Sequence, residues 1–225
     1  MITLAFNTLS ENISIAIIQD DEILAKTTID ESSKHSELLI VAIEEVLNQA
    51  NIWYQDLDLV ATITTPGSFT ASRISLVTAK VIKLSLDIPV ANLDGCEVLA
   101  YKNSQKYSGN LIIAMKGTQI EYYLAIYKLE NGKISVIKPP KSYHIDDLDD
   151  FIIENNQLPS PIICGSAKEK IINKKLFKSY FESEIDEIEA FDISKLAIVK
   201  NREGKLIDDI DISYLRQPRI KKRTK

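Results

Sequence analysis

Histidine and cysteine are almost missing from this chain, which has two of each among 225 residues. Metal catalysis needs clustered ligands, usually His or Cys at helical spacing. His35 and His144 lie about a hundred residues apart, with no second His one turn on, so no metal site is expected. Cys96 and Cys164 sit in apolar contexts without CxxC spacing, which predicts buried free thiols, not a disulfide. The chain also lacks a G-x-S-x-G nucleophile elbow and a lysine-bearing phosphate loop. A Ser-His-Asp triad with scattered members stays open. No apolar run is long enough to cross a bilayer, and Met1–Asn7 has neither a basic stretch nor a small-residue cleavage site, so a cytoplasmic location without membrane attachment is expected. The net charge of −5 argues against a nucleic-acid-binding body. The last ten residues are the exception, with Arg216, Arg219, Lys221, Lys222, Arg223 and Lys225 either touching phosphates or forming a solvated end.

What is present is apolar material for a packed core, 45% of the residues, and one informative stretch. The run Leu59–Ile63 reads as a buried strand, Pro66-Gly67 as a turn, and Ser68 onward as a helix. Such a loop points backbone N–H groups beyond the strand end, where an anion would sit; alternatively Ser68 or Thr70 only caps the helix. In order, the chain reads as strands at 2–6, 13–18 and 22–29, a helix from about Ser33 to Ala50, the strand and helix just described, a short strand near Val90 and a helix from Asp94. The second half repeats this. Strands at 111–115, 121–129 and 133–138, the last two joined by Asn131-Gly132, precede a helix at 146–154, a strand at 161–164 and a helix at 168–181. Cys164-Gly165-Ser166-Ala167 is either a second phosphate loop or a plain turn. Two βββαβα units predict two α/β lobes with a cleft between them. An amphipathic helix at 194–202 with Gly204 beyond it completes the pattern.

Two helices carry more apolar surface than one core needs. On the first, Leu39, Ile40, Ala42, Ile43, Val46, Leu47 and Ala50 fill an arc of roughly 160°, with Leu38 and Val41 outside it. On the second, Ala71, Ser75 and Ala79 form a ridge of small side chains, while Ile74, Val77, Val81 and Leu84 form a separate apolar stripe. The stripe suits packing on the chain's own sheet; the ridge would let a second helix approach closely, from a partner or from this chain.

Asn7-Thr8, His35-Ser36-Glu37-Leu38-Leu39, Pro66-Gly67-Ser68-Phe69-Thr70 with Arg73-Ile74 and Thr78-Ala79-Lys80, Glu121-Tyr122-Tyr123 and Tyr214-Leu215-Arg216 together resemble the bacterial TsaB (YeaZ) family. The resemblance implies two RNase H-like lobes of the actin/Hsp70 (ASKHA) type: 1–104, then 105–190, a C-terminal helix and extension at 191–215, and the basic tail 216–225. It implies a role in making N6-threonylcarbamoyladenosine on tRNA, as a non-catalytic subunit without cofactor. The partners implied are a catalytic TsaD paralogue in a heterodimer, a TsaE ATPase in the larger complex, and tRNA through that complex. The implied paralogue contact lies on the first two helices, at His35, Leu38, Leu39, Ala42, Ile43, Val46, Ala71, Ser75, Thr78, Ala79 and Ile82. Without the paralogue, two copies would pair through the same surface. The chain departs from the family pattern at Asn7, Thr64, Thr65, Ala71 and Ser75, and has Lys116 near the place of an Asp-Ala-Arg segment. These departures argue against nucleotide binding. The alternative, a small-molecule kinase or ATPase, rests on the two lobes and the Pro66-Gly67-Ser68 loop. A glycoprotease-type protease would need a metal or nucleophile that the sequence does not display.

Overall fold

The first sheet grows from strands that are apolar on both faces. In the computed structural model, which describes residues 1–10, 12–30 and 35–206, β1 (Ile2–Asn7) pairs antiparallel with β2 (Ile13–Gln19), and β2 with β3 (Glu22–Ile29). α1 (His35–Ala50) leads to β4 (Leu59–Thr65), which lies parallel to β1; α2 (Phe69–Leu86) then leads to β5 (Val90–Asp94), parallel to β4. The strand order is β3-β2-β1-β4-β5, so the parallel strands end together at one rim, as βαβ crossovers require. Alternation divides the side chains. Leu4, Phe6, Ile13, Ile15, Ile17 and Val60 meet α1 and α2 on one face, while Ala5, Ala16, Ile18, Ala61 and Ile63 face the other way.

That other face is where the two halves join. α3 (Gly95–Ser104), begun by Asp94, and α6 (Ala190–Arg202) pack there in a cluster that also takes Leu111, Ile113, Tyr127 and Ile162 of the second sheet. α6 starts earlier than expected, because Glu189 and Asp192 bracket its first turn in a capping box. The second sheet consists of β6 (Gly109–Lys116), β7 (Glu121–Glu130), β8 (Lys133–His144), β9 (Ile162–Cys164) and β10 (Phe181–Glu182), ordered β10-β9-β6-β7-β8. Its hairpin turns at Asn131 and Gly132, both with positive φ, as the sequence predicts. α4 (Leu148–Asn155) and α5 (Lys168–Ile172) cover its outer face.

The helix expected at 168–181 is a correction. It stops at Ile172, and Lys175 adopts a left-handed φ of 54° that a helix cannot continue through. The chain then turns, and Phe181 and Glu182 pair with Ile162 and Ile163 as an edge strand. The two βββαβα units otherwise stand as an α/β fold of two RNase H-like lobes of the actin type. The start of the first helix before His35, the residues 207–215 of the extension and the basic tail lie outside the described residues.

Candidate functional site

The rim where β1 and β4 end is the place where an α/β fold of this kind takes a ligand. Here its polar groups are spent on the chain itself. The Asn7 amide nitrogen donates to Ser10 Oγ at 2.8 Å and to the Ile188 carbonyl at 3.0 Å, while its oxygen accepts from Leu9 N at 2.9 Å. A carboxylate could not make those two donations, so a neutral amide suits this position. Thr8 Oγ1 donates to the Ala71 carbonyl at 3.0 Å and lies 2.6 Å from Ser75 Oγ. Leu9 covers the glycine of the Pro66-Gly67 loop: a β-carbon added at Gly67 would stand 2.9 Å from Leu9 Cδ2. The Leu9 side chain is therefore packed against the backbone of the loop at Gly67. The capping role expected of Ser68 is also corrected. Ser68 precedes α2 but makes no side-chain cap bond; Ser72 Oγ instead donates to the Thr64 carbonyl at 2.7 Å and the Ser68 carbonyl at 2.9 Å.

The corresponding loop of the second lobe follows the same logic. Gly165 N donates to Asp186 Oδ1 at 2.8 Å, Lys168 pairs with the other oxygen of Asp186, and Lys116 N donates to Ser166 Oγ at 3.0 Å. The hydrogen bond to Asp186 raises the Lys168 pKa. Gly165 sits at φ +101°, and a β-carbon there would run into the Ala114 carbonyl, so the turn itself requires glycine. Asp94 caps α3 by accepting from Cys96 N and Glu97 N, and also accepts from Thr65 Oγ1 at 2.8 Å. Burial raises its pKa against the lowering effect of those bonds. Cys96 and Cys164 are buried free thiols, as expected, and burial pushes both well up. Among the described residues, no group of three or more His, Cys, Asp or Glu side chains is placed to hold a metal ion, and no helix is long and apolar enough to cross a membrane.

The outer face of α1 and α2 differs from both rims. Most residues expected at a partner contact are instead inside this chain: Leu39 and Ala42 are 1% exposed, and Ile43, Val46, Ser75 and Ala79 are 0% exposed. Ala71, Thr78 and Ile82 are buried as well, Leu38 is half-buried, and His35 is the first residue of α1. The two faces of α2 are thus reversed from the expectation. Small side chains at 71, 75 and 79 let the helix settle close to its own sheet, where Thr8 bonds the ridge directly. The apolar stripe is then left facing out: Val77 is 59%, Val81 55% and Leu84 83% exposed, with Ile74 half-buried. Phe69 joins it, with the Arg73 guanidinium 3.9 Å above its ring. On α1, Ile40 and Val41 are exposed. Sequence reasoning found the stripe but gave it the wrong neighbour; the signal for the right one was the small ridge itself, which suits the closer contact.

Comparison with known proteins follows the same line. The model of the family described as TsaD: tRNA N6-adenosine threonylcarbamoyltransferase matches residues 22–187. The "tRNA threonylcarbamoyladenosine biosynthesis protein TsaB" of Bacillus subtilis (strain 168) is 26% identical over 157 residues, covering 70% of this chain and 68% of that protein. The protein of the same description from Buchnera aphidicola subsp. Schizaphis graminum is 30% identical over 119 residues, covering 53% of this chain and a little over half, 56%, of its own length. A crystal structure described as an uncharacterized protein with similarity to peptidase YEAZ from Pseudomonas aeruginosa superposes with a TM-score of 0.75 at 17% identity, covering 92% of this chain and 94% of that one, and so shares the fold. With the family model running from residue 22 to residue 187, most of its length, this chain belongs to the TsaD family of tRNA N6-adenosine threonylcarbamoyltransferase, and within it the chain is similar to TsaB.

Proposed function

We propose that this chain takes part in the biosynthesis of threonylcarbamoyladenosine on tRNA as a non-catalytic subunit. It docks on a catalytic TsaD-type paralogue through the outer face of α1 and α2. The observation that carries this reading is the exposed apolar stripe Val77, Val81 and Leu84 with Ile40 and Val41, on two helices already fixed to their own sheet. Exposed apolar side chains scattered singly are ordinary, but a row along one helix beside two more on its neighbour is a surface suited to another helix pair. The internally satisfied rims at Asn7 and Gly165 support a supporting role over chemistry in this chain. In the same reading a TsaE ATPase joins the assembly, tRNA is reached through it, and two copies of this chain pair through the stripe when the paralogue is absent.

Mixing the purified chain with a TsaD paralogue and running size-exclusion chromatography tests the proposal. A co-eluting complex is expected from the wild type, and none from Leu84→Glu, which leaves the fold unchanged because Leu84 is 83% exposed. Unchanged complex formation by Leu84→Glu and Val81→Glu would refute the surface, and no complex with the wild type would refute the partnership.

A further inference from the structure

We propose that the segment from Lys168 to Glu182 on the second lobe is a contact surface for single-stranded nucleic acid. Lysines would track its phosphodiester backbone and Phe181 would carry a stacked base. The segment holds five lysines against Glu169 and Glu182, a net charge of +3 (5 − 2) along the sequence that becomes +1 (3 − 2) once Lys168 and Lys174 are set against Asp186 and Asp149, in a chain whose net charge is −5. Elsewhere Lys26, Lys102, Lys106, Lys128, Lys138, Lys200 and Lys205 each pair with a carboxylate. In the segment, Lys168 pairs with Asp186 and Lys174 with Asp149, but Lys170, Lys175 and Lys178 are exposed and have no ion pair among the described residues. Exposed cations without a counter-charge on one short segment favour an anionic partner.

The segment is held so that these cations stay outward. Ile171 and Phe177 are buried in the core beneath it. Asn173 N bonds the Glu169 carbonyl at 3.0 Å, Lys174 N the Ile171 carbonyl at 3.3 Å and Lys175 N the Ile172 carbonyl at 3.0 Å, and the left-handed turn at Lys175 swings the chain back toward the sheet. Phe181 then stands 64% exposed on the edge strand, fixed by its own N–H to the Pro161 carbonyl at 2.9 Å. An exposed ring on the same segment as three lysines without an ion pair among the described residues offers the two contacts that a single strand uses without sequence preference. Unstacked bases are needed for the ring to act, so a loop or a free strand fits and a closed duplex does not. The surface lies on the second lobe, away from α1 and α2, and owes nothing to the paralogue reading.

Fluorescence anisotropy of a short labelled RNA oligonucleotide, titrated with the full chain across a range of salt, tests this. The matching DNA oligonucleotide separates the two sources of such a strand, and phosphatidylserine vesicles and a fully paired RNA duplex serve as competitors. The wild type should bind with log Kd rising with log salt. The triple variant Lys170→Glu, Lys175→Glu, Lys178→Glu should weaken binding at least about tenfold and flatten the slope by about two, since each phosphate contact on a single strand contributes about 0.7. Phe181→Ala should weaken it by about tenfold with the slope unchanged. A variant reversing Arg219, Lys221 and Lys222 controls for the basic tail. The proposal is overturned by absence of wild-type binding, by binding lost in the tail variant but changed less than about twofold in the triple variant, or by equal competition from vesicles or duplex. Circular dichroism of each variant confirms that the fold is retained.

Discussion

Two positions a half-turn apart on α2 should respond to the same substitution in opposite ways. Ala79 is 0% exposed and packs in the core between α1, α2 and the first sheet, whereas Val77 is 59% exposed. Ala79→Glu puts a carboxylate into the apolar cluster that holds Leu39, Ile43, Val60 and Leu76. An unpaired buried charge costs on the order of 3–5 kcal/mol, and forcing the extra volume into a packed site adds about 1–3 kcal/mol. Against a total stability of roughly 5–15 kcal/mol, that is enough to unfold much of the population. For a domain of this size, a loss of 4 kcal/mol lowers the melting temperature by roughly 8–16 °C. Val77→Glu should change stability by less than about 0.5 kcal/mol yet abolish the complex with the paralogue. Urea unfolding followed by circular dichroism, and size-exclusion chromatography with the paralogue, read the two effects separately. An Ala79→Glu variant with a wild-type midpoint would refute the assignment of the small ridge to this chain's own core, and a Val77→Glu variant that still forms the complex would refute the outward stripe as its docking face.

Other outcomes follow from the same structure. Light scattering of the isolated chain should show a dimer that Leu84→Glu converts to a monomer; a wild-type monomer at high concentration would remove the self-pairing. Gly165→Ala should destabilise by about 2–4 kcal/mol, from a φ of +101° and a β-carbon driven into the Ala114 carbonyl, and a midpoint within error of wild type would show that the turn relaxes freely. The raised pKa of Asp94 gives a pH test. A carboxyl that titrates higher when folded contributes stability that is complete below its unfolded value, 3.8, and is lost as pH rises through the folded value. The urea midpoint of wild type relative to Asp94→Asn should therefore fall as pH rises above 3.8 through the raised folded value, and a difference that stays constant with pH would refute the buried-acid account. Asn7→Asp should weaken the tie to Ile188 by replacing a donor with an acceptor facing a carbonyl, at a cost of about 1–3 kcal/mol read by the same unfolding assay.

Much of the architecture was written in local chemistry. The alternation around Asn131-Gly132 specified a hairpin, the apolar runs at 2–6 and 13–18 specified strands, and the repetition of that order specified two lobes. These features depend on spacing along the chain, which is visible in one dimension. The choice of which face of α2 turns inward is not. It depends on how closely the helix can approach a sheet that exists only after folding, and there Thr8 reaches across sixty-odd positions to bond Ala71 and Ser75. The same is true of the rims. Leu9 over Gly67, the Asn7 amide on the Ile188 carbonyl, and Asp186 on Gly165 N are long-range encounters that convert loops with a phosphate-like pattern into closed turns. Sequence alone settled most of the helices, strands and turns, because propensity and periodicity act between near neighbours, but not the stretch 173–182, where an expected helix gives way to an edge strand. Tertiary structure alone settled which apolar side chains remain outside and which polar groups are already satisfied, because both are decided by what distant segments bring to the same point in space.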